Sequence, residues 1–150
     1  MKSTIPPEAQ KLIELMDVIH SLRQALRARL QTKMREYDFG ITYEMFQVLL
    51  FLWKKNGVNQ QEIADNVQKN KASLTPLIDN LVKRKLVTRT EDSSDRRNKI
   101  ISLTQEGVQF EEKFKPILMG FHEVFTTSIS ISQLESVINM LQKLQNNLEA

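Results

Sequence analysis

The 150-residue sequence predicts a mainly α-helical fold with a small β-hairpin, a winged helix-turn-helix with dimerisation helices at both termini. Apolar residues recur at spacings of three and four over most of the chain, which indicates amphipathic helices. Two short helical segments are separated by a polar break at residues 68–70, and two β-prone runs then flank the turn formers 91–95. A chain of this length buries one good hydrophobic core, so we expect a single domain over residues 1–150.

A long first helix is predicted over residues 8–36, after Pro6 and Pro7. Its apolar stripe consists of Leu12, Leu15, Met16, Ile19, Leu22, Leu26 and Leu30. Ile13 and Val18 lie outside this stripe, so the apolar face is wider than one packing surface requires. We therefore expect part of the face to contact another chain.

The second helix is predicted to begin after Thr42, which can cap its first turn, and to end at Asn56-Gly57. Gly40 separates it from the first helix. Its inward face is predicted to hold Phe46, Leu49, Leu50 and Trp53.

A helix-turn-helix is predicted next. Asn59 and Glu62 form a capping box that opens a two-turn helix, whose apolar residues are Ile63, Ala64 and Val67. After the polar break, the buried stripe of another helix is predicted to be Leu74, Leu77, Ile78, Leu81 and Val82.

The outward residues of this second helix suit a major groove of DNA. Hydroxyl side chains can meet base edges there, and lysines can meet phosphates. An ordinary solvated helix face explains the same pattern about equally well. The residues of this segment predicted to contact DNA are Lys69, Asn70, Lys71, Ser73, Thr75, Pro76 and Lys83.

A hairpin formed by residues 86–90 and 98–103 is predicted to be the wing. Phosphates on both sides of the narrow minor groove deepen its negative potential, so two adjacent arginines at the hairpin tip predict insertion there. A carboxylate two residues before Arg97 can hold the guanidinium in one rotamer. The predicted wing contacts are Asp95, Arg96, Arg97, Asn98 and Lys99.

The C-terminal third predicts an obligate homodimer. Thr104 can cap a helix that carries Phe110, Phe114, Ile117, Leu118, Phe121 and Phe125, and Pro116 is expected to bend it. Ser132 and Glu135 form a capping box for a last helix, with Leu134, Val137, Ile138, Leu141, Leu144 and Leu148. A winged helix needs only three helices for its core. Residues 8–36 and 104–148 are thus expected to dimerise, and 42–103 to form the DNA-binding lobe.

Charge and composition narrow the function classes. The net charge is +3, but Lys69 to Lys99 carries nine basic and four acidic residues, which suggests a polyanionic partner. The chain has no cysteine, and its two histidines, His20 and His122, are expected to be structural or surface residues. No catalytic residue, metal site or resident cofactor is predicted. No apolar run approaches the roughly 18 residues of a membrane span, and residues 1–10 do not resemble a signal peptide, so we expect a cytoplasmic protein without membrane contact.

The segment LVKRKLVTRTEDSSDRRNKIISLTQEG, residues 81–107, resembles the signature of the multiple-antibiotic-resistance regulator (MarR) family of winged-helix transcription factors. The similarity covers residues 42–107 and, by helix layout, nearly the whole chain. By position, Arg97 resembles the family's minor-groove arginine and Asp95 its buttress, whereas Ser73 and Thr75 match recognition-helix contacts. The resemblance implies a homodimer with interlocking terminal helices, a pseudo-palindromic double-stranded DNA operator, and a small amphipathic or phenolic effector.

Two positions depart from the family pattern. Lys85 stands where the family usually has glycine, so a lysine must take a left-handed turn. Pro76 replaces a residue that is often polar or basic, and Leu-Thr-Pro-Leu resembles a subgroup that includes peroxide sensors. Those sensors act through a reactive cysteine, which this chain lacks.

The predicted function is therefore a sequence-specific DNA-binding regulator, a homodimeric repressor relieved by a small molecule. The effector pocket is expected between the first helix, the helix with Phe46 and Trp53, and the helix after Thr104. The alternative is a winged helix for protein contacts or non-specific nucleic-acid binding. The Asp-Arg-Arg wing and the basic segment around it favour the regulator. A regulator that responds to no ligand also fits the sequence.

Overall fold

The computed structural model describes residues 5–95 and 97–149. They form α1 (Pro7–Glu36), α2 (Tyr43–Lys54), β1 (Val58–Asn59), α3 (Gln60–Asn66), α4 (Lys71–Lys83), β2 (Val87–Glu91), β3 (Lys99–Leu103), α5 (Gln105–Thr126) and α6 (Ile131–Glu149). The chain divides into two compact units whose boundary falls between Glu111 and Glu112, within α5. The mainly helical fold class with a β wing is confirmed.

Three helices of the first unit begin where a side-chain oxygen accepts a backbone N–H of the first turn. This contact replaces one of the hydrogen bonds that a helix start otherwise lacks. The pairs are Thr42 with Met45 at 3.2 Å, Asn59 with Glu62 at 2.8 Å, and Asn70 with Ser73 at 2.8 Å. The predicted starts of α2 and α3 are confirmed. The carboxylate of Glu62, however, pairs with Lys55.

The core of the first unit lies between α2, α3, α4 and the sheet. Its fully buried residues include Val48, Leu49, Leu52, Ile63, Leu74, Ile78, Leu81 and Ile101. The prediction that Leu50 and Val82 face inward was wrong, because both are 37% exposed. Each follows a buried leucine by one residue, a rotation of about 100° that carries the side chain off the buried face.

The wing belongs to a three-stranded antiparallel sheet with strand order β1-β3-β2. In the hairpin, Val87 pairs with Leu103 and Glu91 with Lys99, so β2 and β3 each begin one residue later than predicted. The two-residue β1 was not predicted. Val58 pairs with Ile101, which fixes the start of α3 against the base of the wing.

A left-handed turn joins α4 to β2 at Lys85, whose φ is 58°. This conformation, predicted from the sequence, costs a lysine on the order of 1 kcal/mol relative to glycine. The turn is closed by two backbone hydrogen bonds, from Lys85 N to Val82 O at 2.9 Å and from Leu86 N to Leu81 O at 3.0 Å.

The first turn of α5 packs unusually closely against the base of the wing. Thr104 caps this helix as predicted, since its Oγ1 accepts the Gly107 N–H at 2.9 Å. A Cβ on Gly107 would lie 2.0 Å from the Leu86 carbonyl oxygen, so only glycine fits there. The indole Nε1 of Trp53 donates to the Gly107 carbonyl at 3.0 Å, which anchors α2 at the same point.

In the second unit, Phe114 and Ile117 of α5 are buried, whereas Leu118, which belongs to the same predicted apolar side, is exposed. Pro116 lies inside the helix, and the bend remains a prediction. The predicted Ser132–Glu135 capping box was wrong. Ser130 Oγ accepts the Gln133 N–H at 3.3 Å, and Gln133 Oε1 accepts the Ser130 N–H at 2.8 Å. This earlier box lets α6 begin at Ile131, so that Leu134 N already donates to Ser130 O.

Long apolar surfaces remain uncovered in the single chain. On α1, Leu12, Ile13, Met16, Val18 and Leu22 are between 43% and 60% exposed. On α6, the predicted apolar residues Val137, Ile138, Leu141, Leu144 and Leu148 are also exposed. Surfaces of this extent are typical of protein interfaces, which agrees with the predicted dimer.

Candidate nucleic-acid interface

The front of α4 presents small and basic side chains to solvent. Lys71 and Ser73 are exposed, Lys69 and Thr75 are half-buried, and Pro76 is exposed in the second turn. Lys83 is the last residue of α4, twelve residues beyond Lys71, or about 18 Å along the helix axis. The structure therefore groups six of the seven predicted contacts at one end of the helix and places Lys83 at the other.

The hydroxyl of Thr75 is already engaged within the chain. It donates to the Lys71 carbonyl at 3.0 Å and accepts from Gln60 Nε2 at 2.8 Å. Gln60 is the buried polar residue of the first unit's core, 7% exposed, and it was not singled out from the sequence. Its amide fixes Thr75 to α3, so a base contact by Thr75 would use the remaining acceptor capacity of the oxygen.

Two further predicted contacts of α4 have structural roles. Asn70 is the N-cap, and its side-chain oxygen is bonded to the Ser73 N–H. Pro76 lies inside the helix and has no N–H to donate to the carbonyl of Ala72. The Ala72 carbonyl therefore lacks its usual helical donor, and Pro76 adds a rigid apolar ring to the exposed side of the first two turns of α4.

The wing tip is a tightly hydrogen-bonded turn. The carboxylate of Asp95 accepts the Arg97 backbone N–H at 3.0 Å and lies 3.5 Å from Arg97 Nε. The Asp95 carbonyl accepts the Asn98 N–H at 2.8 Å, and Asp92 N donates to Asn98 O at 3.1 Å. The side chain of Arg97 is nevertheless 94% exposed. The turn thus holds the backbone at Arg97 and leaves its guanidinium accessible. Arg96 lies outside the described residues.

Acidic side chains of the wing are held in their charged form. The Lys99 ammonium donates to Glu91 at 2.8 Å, and this hydrogen bond, together with the lysine's charge, lowers the pKa of Glu91 below its ordinary value. Hydrogen bonds from the hydroxyl and the backbone N–H of Ser94 likewise lower the pKa of Asp92. Lys99 is therefore already paired with Glu91 in the candidate DNA-binding surface, before any DNA is bound.

An ion pair that was not predicted from the sequence joins α4 to the wing. Asp79 Oδ1 of α4 lies 2.9 Å from Arg89 Nη2 of β2. This distance makes an ion pair, although the N–H directions do not satisfy hydrogen-bond geometry and the Arg89 Nε is buried without a bonded acceptor. Ten residues separate the pair along the chain, so no helical or strand spacing indicates it.

The cavities formed by the described residues include three that border α1. One lies at its C-terminal end beside the start of α2, one is an open groove along residues 10–25, and one lies against the turn between α3 and α4. No α5 residue lines any of the three, so the effector pocket predicted between α1, α2 and α5 is not among them. Trp53 packs edge-on against Phe46, with ring centroids 6.0 Å apart, which agrees with a core role.

Among residues 5–95 and 97–149, no group of three or more histidine, aspartate or glutamate side chains could hold a metal ion. Over the same residues, every helix is too short or too polar to cross a membrane. His20 and His122 are both exposed.

Known proteins resemble this chain in sequence and in structure. A family model described as the MarR family matches residues 41–99. The HTH-type transcriptional regulator SarZ of Staphylococcus epidermidis is 30% identical over 109 residues, which cover 73% of this chain and 70% of that protein. The crystal structure of a MarR transcriptional regulator from Methanosarcina mazei Go1 matches with a TM-score of 0.78 at 26% identity, over 90% of this chain and 96% of that one. The Staphylococcus aureus MepR–DNA complex matches with a TM-score of 0.73 at 25% identity, over 88% and 96%.

Proposed function

Because the chain belongs to the MarR family of DNA-binding transcriptional regulators, we propose that it is a homodimeric repressor that binds a pseudo-palindromic operator and is released by a small-molecule effector. It is a regulator rather than an enzyme. In this proposal α4 lies in the major groove and the wing reaches the adjacent minor groove.

The observation that carries the proposal is the geometry of the wing tip. Arg97 is almost fully exposed while Asp95 bonds its backbone N–H, so a guanidinium is presented on a restrained turn. Restraint before binding reduces the conformational entropy that an arginine loses when it enters a groove. The similar MepR of Staphylococcus aureus has been crystallised as a DNA complex, which supports the proposal that this chain binds DNA.

The uncovered faces of α1 and α6 support the homodimer. Five apolar residues of α1 are about half-exposed in the single chain. Full burial of an exposed side chain of this kind contributes roughly 1.5–3 kcal/mol, so covering the exposed half contributes on the order of 1 kcal/mol each. A two-fold dimer would also duplicate α4 and the wing, as a pseudo-palindromic operator requires.

An effector would act only if it favours one arrangement of the two DNA-binding lobes over the other. The proposed effector is a small amphipathic or phenolic compound, in keeping with the family. Trp53 is the sole tryptophan and touches the first turn of α5 through its indole N–H, so its fluorescence would report a compound bound nearby.

Selection of bound fragments from genomic DNA, followed by footprinting, tests the DNA-binding proposal. We expect a short inverted repeat protected over two half-sites. Equal binding of all fragments would instead favour the alternative of non-specific nucleic-acid binding, and failure to bind any duplex would favour a winged helix for protein contacts. Reporter expression with and without the repeat distinguishes repression from activation.

A further inference from the structure

A polar cavity of about 360 Å³ lies between α1, α2 and the turn that joins α3 to α4. Small-molecule sites commonly have volumes of roughly 300–1,000 Å³. The polar groups that matter come from all three elements: Arg23 and Arg27 from α1, Gln47 from α2, and Gln68 and Lys69 from the turn.

The cationic side chains of this cavity differ in whether another residue pairs with their charge. Arg27 is paired with Glu44 at 2.5 Å, and its guanidinium lies 4.8 Å from the centre of the Tyr43 ring. The side chains of Arg23 and Lys69 form no ion pair or hydrogen bond with any residue in 5–95 or 97–149. None of the described lining residues is acidic. Arg23 and Lys69 therefore bring two positive charges to the cavity that no described lining residue neutralises.

From these groups we infer that the cavity binds a small organic anion with two or more carboxylate or phosphate groups. Two unpaired cations on different elements match separate anionic groups, and guanidinium favours carboxylate and phosphate because its N–H donors fit both geometries. The amides of Gln47 and Gln68 supply further donors for the same oxygens.

Binding there would bear on DNA recognition, and this step rests on the proposed DNA-binding function. Lys69 immediately precedes Asn70, the N-cap of α4, and is one of the predicted phosphate contacts. Its backbone N–H is fixed to Ala64 O at 2.9 Å, and Gln68 takes a left-handed φ of 53°. The Lys69 backbone is thus fixed before any ligand binds. A bound anion would therefore compete with DNA for the Lys69 side chain. Linkage requires DNA to weaken anion binding by the same factor.

Citrate is the first probe and inorganic phosphate the second, titrated calorimetrically into the full chain at constant ionic strength. Arg23→Gln removes a cavity cation that is not among the predicted DNA contacts. Lys54→Gln removes an exposed charge at the end of α2, outside the cavity, and is the matched control. We expect citrate to bind the wild type and Lys54→Gln alike, and Arg23→Gln to bind at least about tenfold more weakly.

Fluorescence anisotropy of a labelled operator then tests the link to DNA. Citrate should release operator from the wild type and from Lys54→Gln, but not from Arg23→Gln. Equal citrate affinity in the three proteins would overturn the inference. Weaker operator binding by Arg23→Gln without citrate would assign the cavity to a DNA phosphate and would also overturn it. If no protein binds any duplex, the proposed function fails, and the calorimetry still decides the cavity.

Discussion

Replacing Arg97 with alanine should weaken operator binding and leave the free energy of unfolding unchanged. The side chain is 94% exposed and its guanidinium contacts Asp95 at 3.5 Å, a surface pair that contributes between about 0 and 1 kcal/mol at most. A groove contact made by the same arginine contributes on the order of 1–3 kcal/mol. A dimer with two engaged wings would thus lose roughly 2–6 kcal/mol if the two contacts are independent.

Anisotropy titrations of operator and random duplexes at one fixed salt concentration measure this loss, and thermal unfolding measures stability. Lys99→Ala is the comparison variant. Because Lys99 is expected to contact a phosphate, its removal should weaken operator and random DNA about equally and reduce the salt dependence of binding. Arg97→Lys keeps the charge and removes the planar donor group, so it should recover only part of the lost affinity.

An Arg97→Ala protein that binds its operator normally would refute the role assigned to the wing. Equal losses on operator and random DNA would reduce Arg97 to a phosphate contact. A large fall in the free energy of unfolding would contradict the exposed position of the side chain.

Four other outcomes are expected. Inserting five base pairs between half-sites about 10 bp apart should abolish tight operator binding, since the half-sites then lie on opposite faces; unchanged affinity, or a monomer in sedimentation, would count against the dimer. Lys85→Gly should raise the free energy of unfolding in urea by about 0.5–1 kcal/mol because φ is positive there, whereas Lys83→Gly, at the helical C-terminal end of α4, should lower it. The pKa values of Glu91 and Asp92 lie below their ordinary values of 4.5 and 3.8, so both contribute stability above pH 4.5 that is lost as the pH falls through the lowered values. The protection factors of the wing amides, which correct for the slower intrinsic exchange in acid, should therefore fall on acidification, and protection factors that do not change would exclude these contacts. Aromatic acids should quench or shift Trp53 fluorescence and release operator together; binding without release would argue against the effector switch.

The sequence was sufficient to predict an element where contacts between neighbouring residues determine its structure. Asn59 is a strong N-cap because its side chain reaches the N–H three residues on, and the prediction of α3 needed nothing else. The start of α6 was ambiguous because Ser130 with Gln133 and Ser132 with Glu135 satisfy the same capping rule. The earlier start adds backbone hydrogen bonds, and no single window of sequence shows that gain.

Features that depend on distant partners could not be read from periodicity. The two-residue β1 exists because Val58 meets Ile101, forty-three positions away, and two residues are too few to show alternation. The pair of Asp79 and Arg89 and the bond from Gln60 to Thr75 likewise join separate elements. In the wing, Asp95 was expected to hold the Arg97 guanidinium. Its carboxylate instead accepts the Arg97 backbone N–H at 3.0 Å and lies 3.5 Å from Nε, because a carboxylate two residues before an N–H forms a local turn.

The close approach at Gly107 has a consequence for motion. With the Leu86 carbonyl oxygen only 2.0 Å from where a Cβ would stand, the wing base and the first turn of α5 are at contact distance and cannot be pressed closer. The Trp53 indole bond to the Gly107 carbonyl resists their separation as well. Any relative displacement of the wing base and the first turn of α5 therefore has to strain this contact or break this hydrogen bond. A larger residue at position 107 would force the wing base and the first turn of α5 apart. Operator binding by such a variant would test whether this displacement alone releases DNA in the absence of a ligand.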